Sequence, residues 1–226
     1  MDIHKPHVAK TWREFLVELG TIVTGILIAL GLEQAVEAGR HRGEATEARE
    51  TIKAEVIADI TRVNQRVLGQ RCVDVRLDEL KSILDSAAAD GRVARPKWIG
   101  QPSRYAVESS RWDAASHSGR ISLLGSDEQA SFGFVYVTLG YLYEMENGEQ
   151  LVWARLRALE GVDRLTADGL LAMRSTLEEA RFYNWSIRQI TPIILDRAAK
   201  IGLRPTSRVD QPPTACRPMT ASPPSD

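Results

Sequence analysis

The sequence has few of the residues that build disulfide-rich, metal-bound or strongly charged domains. It contains two cysteines, four histidines and 6% aromatic residues among 226 positions. The two cysteines, Cys72 and Cys216, are too far apart for the spacing of a zinc site or a disulfide scaffold. Lysine and arginine number 29 against 30 aspartates and glutamates, a formal net charge of −1. No overall basic field favours nucleic acid, so we expect no nucleic-acid partner.

Sequence motifs that carry catalysis are also missing. The chain has no P-loop, no G-x-G-x-x-G after a strand, no G-x-S-x-G, no H-E-x-x-H and no C-x-x-C. His117 lies between Ser116 and Ser118, close to Asp113, but these residues share one short predicted helix with no evident buried group to orient a triad. We therefore predict a non-enzymatic protein with no catalytic, cofactor-binding or metal-binding residues, and no cofactor.

Four large side chains in the predicted helices permit two interpretations. Arg111, Trp112, Trp153 and Trp185 either line a ligand pocket or, as is more common for tryptophans in a helical domain, belong to the core.

One long apolar run stands out near the N-terminus, "VELGTIVTGILIALGLEQAVEA" at residues 17–38. Its centre, residues 19–32, has no charge, and a membrane span needs about 20 mostly apolar residues. Glu18 and Glu33 would lie about 22 Å apart in a helix, just inside a hydrocarbon core about 30 Å thick. We predict a transmembrane helix over residues 15–38. A helix buried in a soluble core and a cleaved signal peptide are the alternatives.

The same run predicts a dimer contact and an orientation. Gly20, Thr24 and Gly31 fall on one helical face, and small residues let helices approach closely in lipid, so we expect a homodimer through the span. Basic residues near the two ends of the span are equal in number, which leaves the orientation undecided by charge. A short polar tail, residues 1–14, that stays in the cytoplasm while the larger domain is exported favours a periplasmic domain at the inner membrane.

The remainder of the chain has helical patterning. Apolar residues at steps of three and four predict one long helix, or two nearly collinear ones. The apolar stripe of this helix includes Val67, and it either packs on its own domain or forms a coiled-coil seam. The predicted helices cover residues 44–88, 105–118, 127–160 and 167–201, and Pro192 should kink or split the last. From residue 203 onward prolines are frequent and apolar periodicity is lost, which predicts disorder.

These patterns together predict an all-α fold. A transmembrane helix precedes an antiparallel helical bundle at residues 39–202, and a disordered Pro-rich tail follows at residues 203–226. Mostly short connections favour antiparallel neighbours. Cys72 and Cys216 pair only if the domain lies in an oxidising compartment, a point that the sequence leaves open.

Two stretches resemble segments of an uncharacterised group of bacterial single-pass membrane proteins. "ELGTIVTGILIALGLEQ" is similar to their opening helix, and "WDAASHSGRISLL", followed by a helix with "YLYE", resembles their Trp-x-x-x-x-x-x-Gly helix. The resemblance implies an N-terminal span and a helical extramembrane domain. It implies no activity and no site residues.

The predicted function is therefore that of a membrane-anchored interaction or structural protein. Its expected partners are the lipid bilayer and a membrane or envelope protein. The alternative is a sensor-like, ligand-binding bundle in which a long helix joined to the span shifts on binding and a separate partner carries the signal.

Overall fold

The computed structural model describes residues 11–206 and 213–221. Helices dominate these residues and no β-strand occurs among them, so the all-α prediction is confirmed. Five α-helices are present: α1 Trp12–Leu68, α2 Gln70–Asp90, α3 Ser110–His117, α4 Ser126–Leu156 and α5 Ala167–Lys200. Short 3₁₀ turns occur at Arg120–Leu123, Arg157–Gly161 and Thr214–Cys216.

The first helix changes character along its length. α1 has 57 residues, which makes it about 85 Å long at 1.5 Å per residue. The side chains of residues 12–36 are all exposed, and burial starts at Ala45. It is the one described helix long and apolar enough to cross a membrane, and none of its most apolar stretch is buried within the chain. The run is therefore not a core helix of this domain.

The last helix, α5, runs antiparallel to α4. Near the end of α4, Arg155 pairs with Glu179 near the start of α5, while Arg197 near the end of α5 lies over the ring of Phe134 near the start of α4, 5.0 Å from its centroid. α5 also contacts α1 and α2. It is thus the helix that packs against α1, α2 and α4.

α1 and α4, in contrast, run parallel, so the prediction of antiparallel neighbours is wrong for this pair. Their contacts ascend together along both helices: Arg49 with Glu128, Glu55 with Tyr136, and Arg66 with Glu149. Parallel neighbours need a long connection that returns to the starting end. That connection is the strap, residues 91–109, followed by α3 and the first 3₁₀ turn.

The C-terminal segment is also ordered where the structure describes it. Residues 203–206 and 213–221 pack on the domain, with Leu203 and Ala215 only 6% and 3% exposed. Cys216 forms a disulfide with Cys72 at the start of α2, and the carbonyl of Met219 accepts hydrogen bonds from two strap amides. The prediction of disorder is wrong for these residues. Residues 1–10, 207–212 and 222–226 lie outside the described part.

Two apolar clusters form the core. One lies between α1, α4 and α5 and contains Ile52, Ile60, Phe132, Leu139 and Ile194; the other lies between α2, α4 and α5 and contains Leu77, Leu80, Trp153, Leu156 and Leu177. The apolar stripe of α1 thus packs within the chain's own domain. Between the two clusters the interior is polar.

Candidate functional site: a buried polar layer and a cleft

A buried ion pair interrupts the core at the level where α1 ends. The side chains of Arg66 on α1 and Glu149 on α4 are both 0% exposed. Nη2 of Arg66 donates to both carboxylate oxygens of Glu149, at 2.8 and 3.1 Å. The predicted stripe placed Val67 inward, but Val67 is 41% exposed and its neighbour Arg66 takes the interior position. Arginine is rarely fully buried in a protein unless it is paired.

The polar layer extends from this pair to the surface. Nη1 of Arg66 donates to Oε1 of Gln70 at 3.2 Å, and Nε2 of Gln70 donates to Asp74 and Asn184. Nδ2 of Asn184 donates to Oδ1 of Asp74 at 2.7 Å. We name Arg66, Gln70, Glu149 and Asn184 the polar layer. It links α1, α2, α4 and α5 by hydrogen bonds where apolar packing is absent.

Burial changes the acidity of the carboxyls here. Desolvation raises the pKa of Glu149 to about 7, against the opposing attraction of Arg66. Desolvation likewise raises the pKa of Glu146, one turn away on α4, to about 7. Replacing a buried ion pair by apolar residues is often neutral or stabilising. The layer is therefore weak evidence for stability.

A cleft opens beside the polar layer. It has a volume of about 320 Å³ and is lined by residues from the end of α1, the start of α2 and the middle of α5: Arg66, Val67, Gln70, Arg188, Thr191, Pro192 and Leu195. Pro192 lies inside α5 and has no N–H to donate to the carbonyl of Arg188 four residues earlier. The sequence showed the proline, but Arg66 and Arg188 are too far apart in the chain for their proximity to be read from it.

Other buried carboxylates hold the strap. Glu55 accepts hydrogen bonds from the backbone amides of Arg111 and Trp112 at the start of α3, at 2.9 and 3.3 Å, and from the Tyr136 hydroxyl at 2.6 Å. Most of the strap lacks regular secondary structure, so its buried amides need side-chain partners. Glu55 supplies such partners where the strap meets α3.

Two more carboxylates accept hydrogen bonds from backbone amides of the strap itself. Asp59 accepts from the amide of Glu108 at 3.2 Å, and Glu146 accepts from the amide of Tyr105 at 3.1 Å. Desolvation raises the pKa of Asp59 to about 6. These acids have a structural role that their chemistry explains, because a carboxylate is a strong acceptor for amides that no helix or sheet satisfies.

The residues singled out in the sequence are not brought together into one site. Trp153 is fully buried, Trp112 stacks on Tyr136 with ring centroids 5.1 Å apart, and Trp185 is 58% exposed. They do not line a common pocket. Nδ1 of His117 contacts the carbonyl of Asp113 at 2.7 Å in an exposed position, so no triad forms around it.

In the part of the chain that the structure describes, residues 12–36 of the apolar run and its N-terminal flank are all exposed. Glu18, Thr24 and Glu33 are exposed, and a Cβ added at Gly20 or Gly31 would meet nothing within 4 Å. The predicted dimer through this face stays a prediction.

Neither a search for metal sites nor a comparison with known proteins assigns a function to the described residues. Residues 11–206 and 213–221 contain no group of three histidine, cysteine or acidic side chains that is placed to hold a metal ion. No family model, curated protein or solved structure matches the chain. The resemblance to bacterial single-pass membrane proteins therefore stays a prediction.

Proposed function

We propose that this chain is a single-pass membrane protein in which residues 15–38 cross the bilayer and the following helical domain acts as a non-enzymatic interaction or structural module. One observation carries the proposal: α1 continues without a break from an exposed apolar run into the apolar core of the domain. Exposing so long an apolar surface to water is unfavourable, whereas a bilayer would cover it. The span would then hold the domain at a fixed distance from the membrane.

The disulfide supports an orientation with the domain outside the cytoplasm. Cys72 and Cys216 are 144 residues apart in the chain and are joined in the folded domain. Such bonds persist in oxidising compartments and are rare in the cytosol. The proposed location is the inner membrane of a bacterial cell, with the N-terminus in the cytoplasm and the domain in the periplasm.

An exposed aromatic surface supports a protein partner. Phe182 and Trp185 on α5 are 57% and 58% exposed, with ring centroids 6.3 Å apart. Aromatic residues are enriched in protein interfaces. We propose that a membrane or envelope protein binds the domain. Tethering to the bilayer would raise the effective concentration of the domain for that partner without any added contact.

Topology in the native membrane tests the proposal. Reporters active only in the periplasm or only in the cytoplasm are fused to the chain's end, and the membranes are extracted with carbonate. We expect periplasmic activity and retention in the pellet. A matched variant, Ile26→Arg, should weaken insertion, because an arginine at the centre of a span costs about 2.5–3.5 kcal/mol. Release of the unmodified chain by carbonate would overturn the proposed span, and cytoplasmic activity with retention would reverse the orientation.

Cross-linking in intact cells tests the partner. We expect the Phe182→Ala, Trp185→Ala double variant to lose cross-links to one membrane or envelope protein. Leu171→Ala is the control, because Leu171 is 70% exposed on the same helix. Equal cross-linking in the unmodified chain, the double variant and Leu171→Ala would argue against Phe182 and Trp185 as the binding surface.

The sensor-like alternative is favoured by one specific feature, the cleft. It lies at the domain end of α1, the helix that would cross the bilayer, so a ligand bound there would contact the helix directly. A shift of α1 against α5 would be the signal in this case.

A further inference from the structure

The cleft has a distinctive charge pattern. Two of its seven lining residues are arginines, Arg66 from α1 and Arg188 from α5, and none is acidic. Val67, Pro192 and Leu195 give the rest of the wall an apolar character. A concave, mostly apolar site with a few convergent polar groups is the usual form of a small-molecule site.

The buried arginine has a donor without a partner. Two nitrogens of Arg66 bond to Glu149 and Gln70, but Nε has no acceptor among the described residues although it is buried. A buried donor left without a partner costs about 1–3 kcal/mol, and more for a charged group. The side chain of Arg66 is 0% exposed, so this nitrogen is closed to solvent and a ligand in the cleft does not contact it.

The second arginine is held only loosely. The side chain of Arg188 is 55% exposed, and its Nη1 lies 3.4 Å from Oδ2 of Asp74. Exposed ion pairs of this kind contribute about 0–1 kcal/mol. Asp74 already accepts from Gln70 and Asn184, so Arg188 can turn toward a ligand without leaving the carboxylate unpaired.

We propose that the cleft binds a small organic anion. Its charged head, a carboxylate or a phosphate, would accept from Arg188, and its apolar body would lie against Val67, Pro192 and Leu195. The volume of about 320 Å³ accommodates a ligand of about ten non-hydrogen atoms, if each occupies roughly the volume of one water molecule.

The inference rests on the sensor-like form of the proposed function. Binding itself does not require that α1 crosses a membrane, because every lining residue lies in the helical domain. Failure of binding and failure of the topology experiment are therefore separate results.

The test uses the full chain purified in detergent and three probes: hexanoate, its neutral analogue hexanamide, and hexyl phosphate. Binding is measured by titration calorimetry and by ligand-observed NMR. We expect hexanoate or hexyl phosphate to bind about tenfold or more tightly than hexanamide, since hydrogen bonds to an ionised group are about twice as strong as neutral ones. Which of the two anions binds better identifies the head group.

Paired variants separate the cleft from binding to detergent. Arg188→Gln should weaken anion binding about tenfold, whereas Arg181→Gln should not, because Arg181 pairs with Asp78 at 2.8 Å and does not line the cleft. Val67→Glu places a negative charge at the cleft and should abolish binding. Leu68→Glu is its control, since Leu68 is exposed but does not line the cleft.

Three results would overturn the proposal. One is that neither anion binds. Another is that hexanamide binds as tightly as hexanoate. The third is that Arg188→Gln and Val67→Glu bind like the unmodified chain. Arg66 itself is left unchanged in these experiments, because its removal would leave Glu149 buried without its partner.

Discussion

The carboxyl of Glu146 gives a prediction whose size follows from the structure. Glu146 is 2% exposed, accepts a hydrogen bond from the amide of Tyr105, and has a pKa raised from 4.5 to about 7 by burial. The folded chain therefore holds a proton on this group between about pH 4.5 and 7, where the unfolded chain has released it. The contribution of this carboxyl to the free energy of unfolding is fully present below pH 4.5 and is lost as the pH rises through 7.

The expected loss is ~3 kcal/mol, because the pKa rises from 4.5 to about 7 and each pKa unit corresponds to 1.36 kcal/mol. In Glu146→Gln the amide oxygen can still accept from Tyr105, but the side chain no longer titrates. The free energy of unfolding of this variant should gain ~3 kcal/mol relative to the unmodified chain between pH 4.5 and pH 8.

The measurement is urea unfolding of the full chain in detergent at several pH values, followed by tryptophan fluorescence. Glu144→Gln is the matched control, because Glu144 is exposed on the same helix. The reasoning is refuted if Glu146→Gln keeps the pH dependence of the unmodified chain, or if Glu144→Gln changes it equally.

Two further predictions concern the disulfide and the packing of α4 on α5. Replacing Cys72 and Cys216 by serine should lower the free energy of unfolding by about 2–5 kcal/mol, since the bond closes a loop of 144 residues. A reductant should lower the urea midpoint of the unmodified chain and leave the midpoint of the variant unchanged. An equal shift in both chains would contradict this prediction. Gly148→Ala should destabilise by about 1–3 kcal/mol, because its Cβ would clash with the ring of Tyr183. In the control Gly140→Ala, on the same helix, the added Cβ meets nothing within 4 Å, so this variant should be neutral or stabilised by up to about 1 kcal/mol. A thermal midpoint higher for Gly148→Ala than for Gly140→Ala would disprove the proposed contact.

Helix content was predictable because it depends on local sequence. Steps of three and four between apolar residues place Ile52, Val56 and Ile60 on one face, and all three are fully buried. Pro192 inside a helix was also visible in the sequence. The cleft beside it was not, because no local pattern indicates which residues of another helix will face the proline.

The C-terminal segment shows the limit of compositional reasoning. Its prolines and lack of periodicity are typical of disorder, yet residues 213–221 are held by the disulfide at Cys216 and by backbone hydrogen bonds to the strap. Neither feature requires apolar periodicity. A pattern-based prediction therefore has no signal by which to detect them.

The sequence by itself determined the apolar run, the helical class and the positions of most helices, because each depends on residues within a few turns of one another. Tertiary structure alone decided that α1 and α4 run parallel, that the cysteines pair, and that Arg66 meets Glu149 in the interior. These depend on contacts between residues 79 or more positions apart. Such contacts are set by how the whole domain covers its apolar surface and satisfies its buried polar groups.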